Sequence, residues 1–338
     1  MVDAAVLSAQ VPAFGVAAAR ELLREHWALE PLSLVRLPSE RDQNFRVDTA
    51  AGRYVLKIAN RAEPAGVTRL QTAALRHVAA CDPDVPVPRV MPTGAGAHEA
   101  FVDGSTVRLL TWMHGVPWHL APASRAQRRS VATGHARLVL ALGGFASDQR
   151  PAELQWDVQH AAKLRDQLDV VPAELRRAVE AALDCFEARA APMLARLPRQ
   201  FVHNDIQPHN VVVDAQDTDR MSGILDFGDF AYTPAVCDLG VAAAYQVLPG
   251  AHPLETVGEY VAAFHAARPL EACELEALPA LILARQATTI VITSRRALTH
   301  ADNAAYILRN QPATRSGLAQ LLPLGYDDVV AYLRSVCP

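Results

Sequence analysis

The sequence predicts an α+β fold in two parts, a small antiparallel sheet near the N-terminus and a larger, mostly helical remainder. Three short segments within residues 32–58 alternate apolar and polar side chains with period two, which is typical of antiparallel strands. From residue 123 onward the apolar residues recur at helical spacing almost throughout. A polar stretch flanked by β-branched runs at residues 201–230 predicts a functional site on short strands in the second part.

The first part is expected to contain two helices and five strands. Ala18 and Leu22 share one face of the first helical segment, and Leu70 and Leu75 share a face of the second. The expected elements are a helix over residues 14–26, strands over 32–37, 43–48 and 53–58, a helix over 67–80, and a hairpin of strands over 99–103 and 106–111.

The second part is expected to consist of long amphipathic helices. A link that contains Gly115 follows the last strand of the first part, so we place the boundary near residue 113, dividing the chain into 1–113 and 114–338. Asp157 stands at the start of a helical segment, where a carboxylate commonly caps the helix. The expected helices cover residues 130–142, 157–168, 175–195, 255–267, 271–293, 301–308 and 326–336, with loops at Pro269, Gln311-Pro312 and Gly325.

The strongest signal is the stretch FVHNDIQPHNVVVDAQDTDRMSGILDFGDF at residues 201–230. It delivers His203, Asp205, Asn210 and Asp226 at the ends of predicted strands. Phosphoryl transfer needs one carboxylate to orient the hydroxyl and accept its proton, and an Asn and a second carboxylate to hold Mg²⁺. We assign Asp205 as the base and Asn210 and Asp226 as the Mg²⁺ ligands, since hard oxygen donors suit this ion. The alternative is a hairpin whose polar residues only cap turns.

The motifs HNDIQPHN and LDFGD resemble those of the aminoglycoside phosphotransferase and choline kinase superfamily, and most closely its hydroxylysine-kinase-like branch. This superfamily shares the protein-kinase fold, so the resemblance implies a bilobal protein with an antiparallel-β N-lobe and a helical C-lobe. Asn204 stands where protein kinases carry Arg, which favours small-molecule kinases. The resemblance also implies that ATP or GTP binds with Mg²⁺ in the cleft between the lobes.

Four positions in the first part are implied to contact the nucleotide. Lys57 is expected to reach the phosphates, although a lysine on an edge strand can also lie at the surface. Ser39 lies in the connection that covers the phosphates in related kinases; the alternative is a plain hairpin turn. Thr111 and Met113 stand at the hinge between the lobes, where backbone groups contact the base.

The usual partner of the strand lysine is a Glu on the following helix. Gln71 occupies that position here, and a Gln side chain can hydrogen-bond the ammonium group without neutralising it. Glu63 is the alternative partner of Lys57. The resemblance further implies that His203 and Asp238 support the catalytic loop and take no part in the chemistry.

The acceptor is expected to be an amino-acid-like or amino-alcohol compound, with the hydroxylysine type favoured. An amine would need a carboxylate partner, and an amino acid would need a cation for its own carboxylate. Alternatives are an aminoglycoside kinase, a choline or homoserine kinase, and a catalytically silent nucleotide-binding protein. The candidate substrate ligands are Asp157, Asp229, Glu259, Arg285, Arg295 and Arg296, although each arginine can equally lie at the surface or cap a helix.

The composition bounds the other partners and the location. The chain has 338 residues, a net charge of −4 and a pI near 6.3, which indicates no surface for nucleic acid or an anionic membrane. Its five scattered cysteines fit a reducing compartment. The N-terminus carries Asp3 and no basic segment, so it does not resemble a signal peptide. The apolar run at 278–293 is interrupted by Arg285 and is expected to be too short to span a membrane. We therefore expect a cytoplasmic protein whose partners are small molecules; its oligomeric state is open.

Overall fold

The computed structural model describes residues 11–39, 41–151, 153–248 and 252–338, so Asp3 lies outside the described residues. The strands are β1 (Ser33–Leu37), β2 (Gln43–Thr49), β3 (Gly52–Ile58), β4 (Val90–Met91), β5 (Ala100–Val102), β6 (Ser105–Thr111), β7 (Val116–Pro117), β8 (Arg199–Val202), β9 (Val211–Val213), β10 (Met221–Ile224) and β11 (Ala231–Pro234). The α-helices are α1 (Val16–Trp27), α2 (Ala65–Cys81), α3 (Arg125–Gly143), α4 (Ala173–Cys185), α5 (Ala191–Leu194), α6 (Ala235–Ala244), α7 (Pro253–Ala267), α8 (Ala272–Thr299), α9 (Ala304–Ile307), α10 (Gln311–Leu321) and α11 (Tyr326–Val336).

The first part of the chain forms a six-stranded antiparallel sheet, with the order β1-β2-β3-β6-β4 and with β5 paired to β6. The three predicted strands and the predicted hairpin are therefore confirmed. One face of the sheet packs against α1, in a core that includes Leu23, Phe45, Leu56 and Leu109. Alternation along β3 buries Leu56 and Ile58 in this core and turns Lys57 to the opposite face.

A separate, larger core lies among the helices of the second part. Helix α2 belongs to this core through Leu70, Ala74 and Val78, although in sequence it lies between the strands β3 and β4 of the sheet. This helix therefore joins the two parts of the molecule, and its polar face looks into the space between them. The predicted combination of an antiparallel-β first part and a helical remainder is confirmed.

The second part also contains two small sheets that carry the polar stretch. Strands β9 and β10 form an antiparallel hairpin, with β7 added on the other side of β9, whereas β8 pairs with β11. Strand β10 begins at Met221, so the polar segment that joins it to β9 covers residues 214–220. We propose the lobe boundary near residue 113, because β6 ends at Thr111 and β7 already belongs to the second part.

Three predictions about the helices need correction. The segment after Asp157 is a 3₁₀ helix, Val158–Val170, and the helix predicted over 175–195 contains a π turn at Phe186–Ala190. The loop predicted at Gln311-Pro312 is wrong, because these residues begin α10. Proline is well tolerated in a first helical turn, where its missing N–H has no intrahelical partner in any case.

Helix α8 forms the centre of the second part. It has 28 residues and is apolar enough to cross a membrane by length and composition. The prediction that the apolar run at 278–293 is too short to span a membrane was therefore wrong, because the helix that contains this run is longer. However, 94% of its most apolar window is buried inside the protein, as in the core helix of a soluble domain. The two polar residues at its middle, Arg285 and Gln286, are buried as well.

Candidate active site

The loop between β8 and β9 is held by its two flanking elements. His203 donates from Nε2 to the carbonyl oxygen of Leu225 (2.8 Å), and its Nδ1 accepts the backbone N–H of Asp205 (3.2 Å). Asn204 has a left-handed backbone conformation with φ of 65°. Its N–H donates to Asp238 Oδ1 (2.7 Å). These contacts are the ones that the loop-supporting roles expected for His203 and Asp238 require.

Asp238 is fully buried and bonds to two different elements. Its second oxygen, Oδ2, lies 3.0 Å from Nε2 of His135 on α3, and His135 Nδ1 lies 3.1 Å from the hydroxyl of Tyr260. Burial raises the pKa of Asp238, but the hydrogen bonds from His135 and the N–H of Asn204, with the electrostatic influence of His135 and His203, outweigh it, so the net pKa is lowered. The ionised carboxylate is thus the form that the fold stabilises.

Asp238→Asn is expected to destabilise the protein by about 3 kcal/mol near pH 7, because it disrupts a buried hydrogen-bonded carboxylate. The pKa of Asp238 is lower in the folded than in the unfolded chain. Its stabilising contribution is therefore complete above the unfolded pKa, about 3.9, and is lost as the pH falls through the folded pKa. Urea unfolding from pH 7 to pH 2 measures this effect. A difference between wild type and variant that stays constant down to pH 2 would contradict the assignment; the exposed Asp166→Asn is the control.

Asp205 is the buried centre of the loop. Its Oδ2 accepts hydrogen bonds from Nδ2 of Asn210 (2.7 Å) and Nε2 of Gln207 (2.7 Å), and its Oδ1 lies 2.9 Å from Nη2 of Arg285. Burial raises the pKa of Asp205, and the adjacent guanidinium group opposes that rise. The carboxylate is fixed in one orientation, as a group that positions a hydroxyl must be.

Arg285 is buried, which excludes the alternative of a surface or helix-capping residue. This residue was considered as a ligand for a substrate carboxylate, or else as a surface or helix-capping residue. Its side chain is only 2% exposed, contacts Asp205, and also donates to the carbonyl of Trp156 (3.1 Å). The guanidinium lies 5.0 Å from the centre of the Trp156 ring. Arg285 is therefore engaged with the predicted base and with the wall of the site.

The second predicted metal ligand follows β10 in a strained turn. Asp226 has φ of 58°, a left-handed conformation that Asp tolerates better than most residues. Its Oδ1 accepts from the N–H of Gly228 (3.1 Å) and from Nζ of Lys57 (3.3 Å). The ammonium of Lys57 holds the pKa of Asp226 well below its usual range. Asp226 is half exposed to the space between the two parts of the molecule.

Lys57 has two carboxylate partners, and neither is the predicted one. Its Nζ lies 3.2 Å from Asp42 Oδ2 and 3.3 Å from Asp226 Oδ1. Burial lowers the pKa of Lys57, but the two carboxylates outweigh burial and the net pKa is raised. The expectation that Gln71 or Glu63 partners Lys57 needs correction, because Gln71 Oε1 accepts from Nη2 of Arg108 (3.0 Å) and the acid that lies against Lys57 in the first part is Asp42.

Arg108 is a buried cation that the sequence analysis missed. It stands opposite Lys57 in the register of β3 and β6, and its side chain is 2% exposed. Its sequence signal is weak because it lies in an otherwise apolar strand with no motif around it. It brings a second positive charge to the same face of the sheet as Lys57.

Two cavities lie in the space beside these residues. A cavity of about 350 Å³ has Val55, Leu75, Leu110 and Val212 among its apolar walls, which suit the flat ring of a nucleobase. The predicted residues that line it are Lys57, Gln71, Thr111, Met113, Asn210 and Asp226. Ser39 lines a smaller adjoining cavity of about 70 Å³ together with Lys57, Asp226 and Gly228. The predicted nucleotide and metal residues are therefore brought together.

A third cavity, of about 90 Å³, is lined by Asp205 and by a different set of polar groups. We name it the acceptor cavity. Asp205, Asp229, Arg285 and Arg296 line it, as predicted candidates, and Trp156 forms part of its wall. Sequence analysis missed its other polar lining residues. Gln207 stands within the HNDIQPHN motif but was assigned no role, and the others lie in segments that carry no motif. The missed residues are Arg41, Gln207, Tyr245, Thr289, Thr293, Arg309 and Asn310.

Three other candidate substrate ligands lie outside the acceptor cavity. The carboxylate of Asp157 is buried and caps the 3₁₀ helix, accepting from the N–H of Gln159 (3.1 Å). Glu259 pairs with Arg125 (3.1 Å), and Arg295 donates to the side chain of Gln167 (2.8 Å). These expectations are corrected: each group is engaged in a structural contact, and Trp156, next to Asp157, is the residue that reaches the cavity.

The sequence comparison places the chain in a family. The description "Phosphotransferase enzyme family" (APH) matches residues 33–275, which include the sheet, the catalytic stretch and the start of α8. The chain belongs to this family. It is a small-molecule kinase that uses an alcohol group as the phosphoryl acceptor, and its bilobal α+β fold is kinase-like.

Curated relatives agree with this assignment, and solved structures show the same fold. The chain is 25% identical to hydroxylysine kinase of Mus musculus over 345 residues, covering 94% of this chain and 92% of the relative. It is 29% identical to homoserine kinase of Hyphomonas neptunium over 259 residues, covering 72% and 74% of the two chains. Among solved structures, a microcompartment-associated aminopropanol kinase matches with a TM-score of 0.66 at 19% identity, covering 96% of this chain and 99% of that one. An amicoumacin kinase in complex with AMP-PNP, Ca²⁺ and Ami matches with a TM-score of 0.68 at 12% identity, covering 93% and 97%.

Proposed function

We propose that this protein transfers the γ-phosphoryl group of ATP to the hydroxyl of a small amino-acid-like or amino-alcohol acceptor, with the hydroxylysine type favoured. One observation carries the proposal: Asp205 lines the acceptor cavity and is hydrogen-bonded to Asn210, which lines the 350 Å³ cavity. A nucleotide and an acceptor could then meet at one carboxylate. The similarity to hydroxylysine and homoserine kinases supports the choice of acceptor class.

We assign the residues as follows. Asp205 orients the acceptor hydroxyl and takes its proton as the phosphoryl group arrives. Lys57, on strand β3, contacts the phosphates of the nucleotide. The connection that contains Ser39 covers the same phosphates. Thr111 and Met113 contact the base. Positioning and charge neutralisation account for most of the catalysis in reactions of this type.

The donor set fits Mg²⁺. Asn210 uses its Nδ2 to donate to the backbone and side-chain oxygens of Asp205, which leaves its amide oxygen as the coordinating atom. Oδ1 of Asp226 accepts hydrogen bonds from Lys57 and Gly228, which leaves Oδ2 as the coordinating atom. Two hard oxygen ligands on one cavity wall are a typical protein contribution to a Mg²⁺ site, where phosphates and water complete the shell. The ion, when bound, neutralises the charge that develops on the transferring phosphoryl group.

Measurement of ADP release over a panel of acceptors tests the function. We expect turnover with Mg-ATP and a hydroxylated amino acid, with 5-hydroxylysine and homoserine ahead of choline and aminoglycosides, and loss of turnover on chelation of the metal with full recovery on adding Mg²⁺. A parallel series with GTP measures donor preference. Stabilisation by Mg-ATP without ADP release for any acceptor would instead identify a silent nucleotide-binding protein.

We further propose that the protein works in the cytoplasm on small molecules. The five cysteines, all within the described residues, are free thiols in the structure. Cys237 and Cys337 are buried, and burial raises the pKa of both thiols, that of Cys337 to about 11. A reducing compartment suits such unpaired thiols. Burial of α8 in the core supports a protein that is not inserted in a membrane.

A further inference from the structure

The described residues that line the acceptor cavity carry more positive than negative charges, and the proposed function alone does not require this. Among the described residues that line it, the charged ones are Arg41, Arg285, Arg296, Arg309, Asp205 and Asp229. Even with Arg296 left aside, three guanidinium groups accompany two carboxylates. A site for a polycationic acceptor would need the opposite balance, because like charges in a confined space repel.

Both carboxylates in the cavity are already engaged with arginines. Nη2 of Arg285 lies 2.9 Å from Oδ1 of Asp205, and Nη2 of Arg41 lies 3.2 Å from Oδ1 of Asp229. Each of these side chains is at most 22% exposed, so water screens the two pairs only partly. Each of the two carboxylates in the described lining is therefore neutralised by one arginine.

Arg309 adds a positive charge beyond these pairs. Its Nη1 donates to the carbonyl oxygen of Tyr306 (2.8 Å), and its guanidinium lies 3.8 Å from the centre of the Tyr306 ring. Neither group carries a negative charge, and the contact with the ring fixes the plane of the guanidinium. Arg309 is exposed, and among the described residues these two contacts hold it beside the cavity without neutralising its charge.

The segment of Arg309 is tied to the catalytic loop. Nδ2 of Asn310 lies 3.3 Å from Oε1 of Gln207, and Nε2 of the same glutamine donates to Oδ2 of Asp205 (2.7 Å). An anion bound by Arg309 would therefore be held at a defined position relative to the proposed base. Such fixed placement of a remote group is what brings a hydroxyl to the reacting atoms.

We propose that the acceptor carries a carboxylate and that Arg309 is a specificity-determining residue that binds it. This inference rests on the proposed function and narrows its acceptor class to hydroxylated amino acids, as against amino alcohols and aminoglycosides. A planar guanidinium pairs with a carboxylate through two parallel hydrogen bonds. The cavity volume of about 90 Å³ also suits a small acceptor.

Matched acceptors with and without the carboxylate test the proposal. Homoserine is compared with 3-aminopropan-1-ol and with homoserine amide, and 5-hydroxylysine with 1,5-diaminopentan-2-ol, in the wild type and in Arg309→Gln. We expect wild-type kcat/KM to favour each acid by roughly 10- to 100-fold, the range of a hydrogen bond to a charged group. In Arg309→Gln this preference should fall towards one, mainly through KM. Arg295→Gln, on α8 but outside the cavity, should keep the wild-type preference.

The outcomes separate this inference from the proposed function. Equal or better phosphorylation of the amines and the amide, or an acid preference that survives Arg309→Gln, would overturn the role of Arg309 and leave the kinase assignment intact. If none of the tested acceptors is phosphorylated, the proposed function is overturned. In that case calorimetry compares the binding of homoserine with that of homoserine amide and tests the role of Arg309 without turnover. At least tenfold tighter binding of the acid supports the inference. Equal binding of the two compounds, or binding of neither, overturns it.

Discussion

Asp205→Asn is expected to lower kcat by about 10²- to 10⁴-fold, the usual contribution of a positioned general base. The amide keeps the shape of the carboxylate and can still accept a hydrogen bond, but it cannot take the proton of the acceptor hydroxyl. The KM for ATP should change little, because Asp205 lines the acceptor cavity and not the 350 Å³ cavity. Steady-state kinetics with the best acceptor of the panel measures both parameters.

The same substitution also removes the charge partner of Arg285, which is buried. Leaving one buried charge without its partner typically costs about 3–5 kcal/mol of stability, so folding must be checked by circular dichroism and Mg-ATP binding by calorimetry. Asp205→Asn/Arg285→Met removes both charges and should recover part of the stability without recovering turnover. A folded Asp205→Asn protein that binds Mg-ATP and keeps kcat within tenfold of wild type would exclude Asp205 as the base. The exposed Asp166→Asn serves as the control.

The sequence predicted best what depends on local spacing. Asp205, Asn210 and Asp226 stand within one stretch whose strand and turn pattern fixes their relative placement, and the structure brings all three to adjoining cavity walls. Lys57 also reaches this place, because alternation along β3 requires it to leave the core face. Secondary structure was predicted well where periodicity was strong and less well at Val158–Val170, which is a 3₁₀ helix.

The partners of these residues could not be predicted, because they depend on packing between distant segments. Gln71 was expected beside Lys57, but it bonds to Arg108, which lies 37 positions away in the chain. Arg285 is 80 positions from Asp205, in a helix whose sequence gives no sign that its arginine faces a carboxylate. A lone arginine in an apolar helix is ambiguous until the neighbouring helices are in place. Most residues that line the acceptor cavity could not be predicted either, because their position also depends on packing between distant segments.

Asp226→Asn is expected to lower kcat by roughly 10³-fold, since the charge stabilisation supplied by a catalytic metal amounts to several kcal/mol and each 1.4 kcal/mol is tenfold in rate. The half-saturating Mg²⁺ concentration should rise at least about tenfold, because an amide oxygen is a weaker ligand than a carboxylate. Asn also tolerates the left-handed backbone of position 226, so strain alone would not cause these changes. Asp103→Asn is the matched control, since Asp103 has φ of 49° in the turn between β5 and β6 and lines neither cavity. Rates measured across a Mg²⁺ titration decide the matter: an unchanged metal requirement in Asp226→Asn, with the fold and ATP binding retained, would show that Asp226 does not hold the ion.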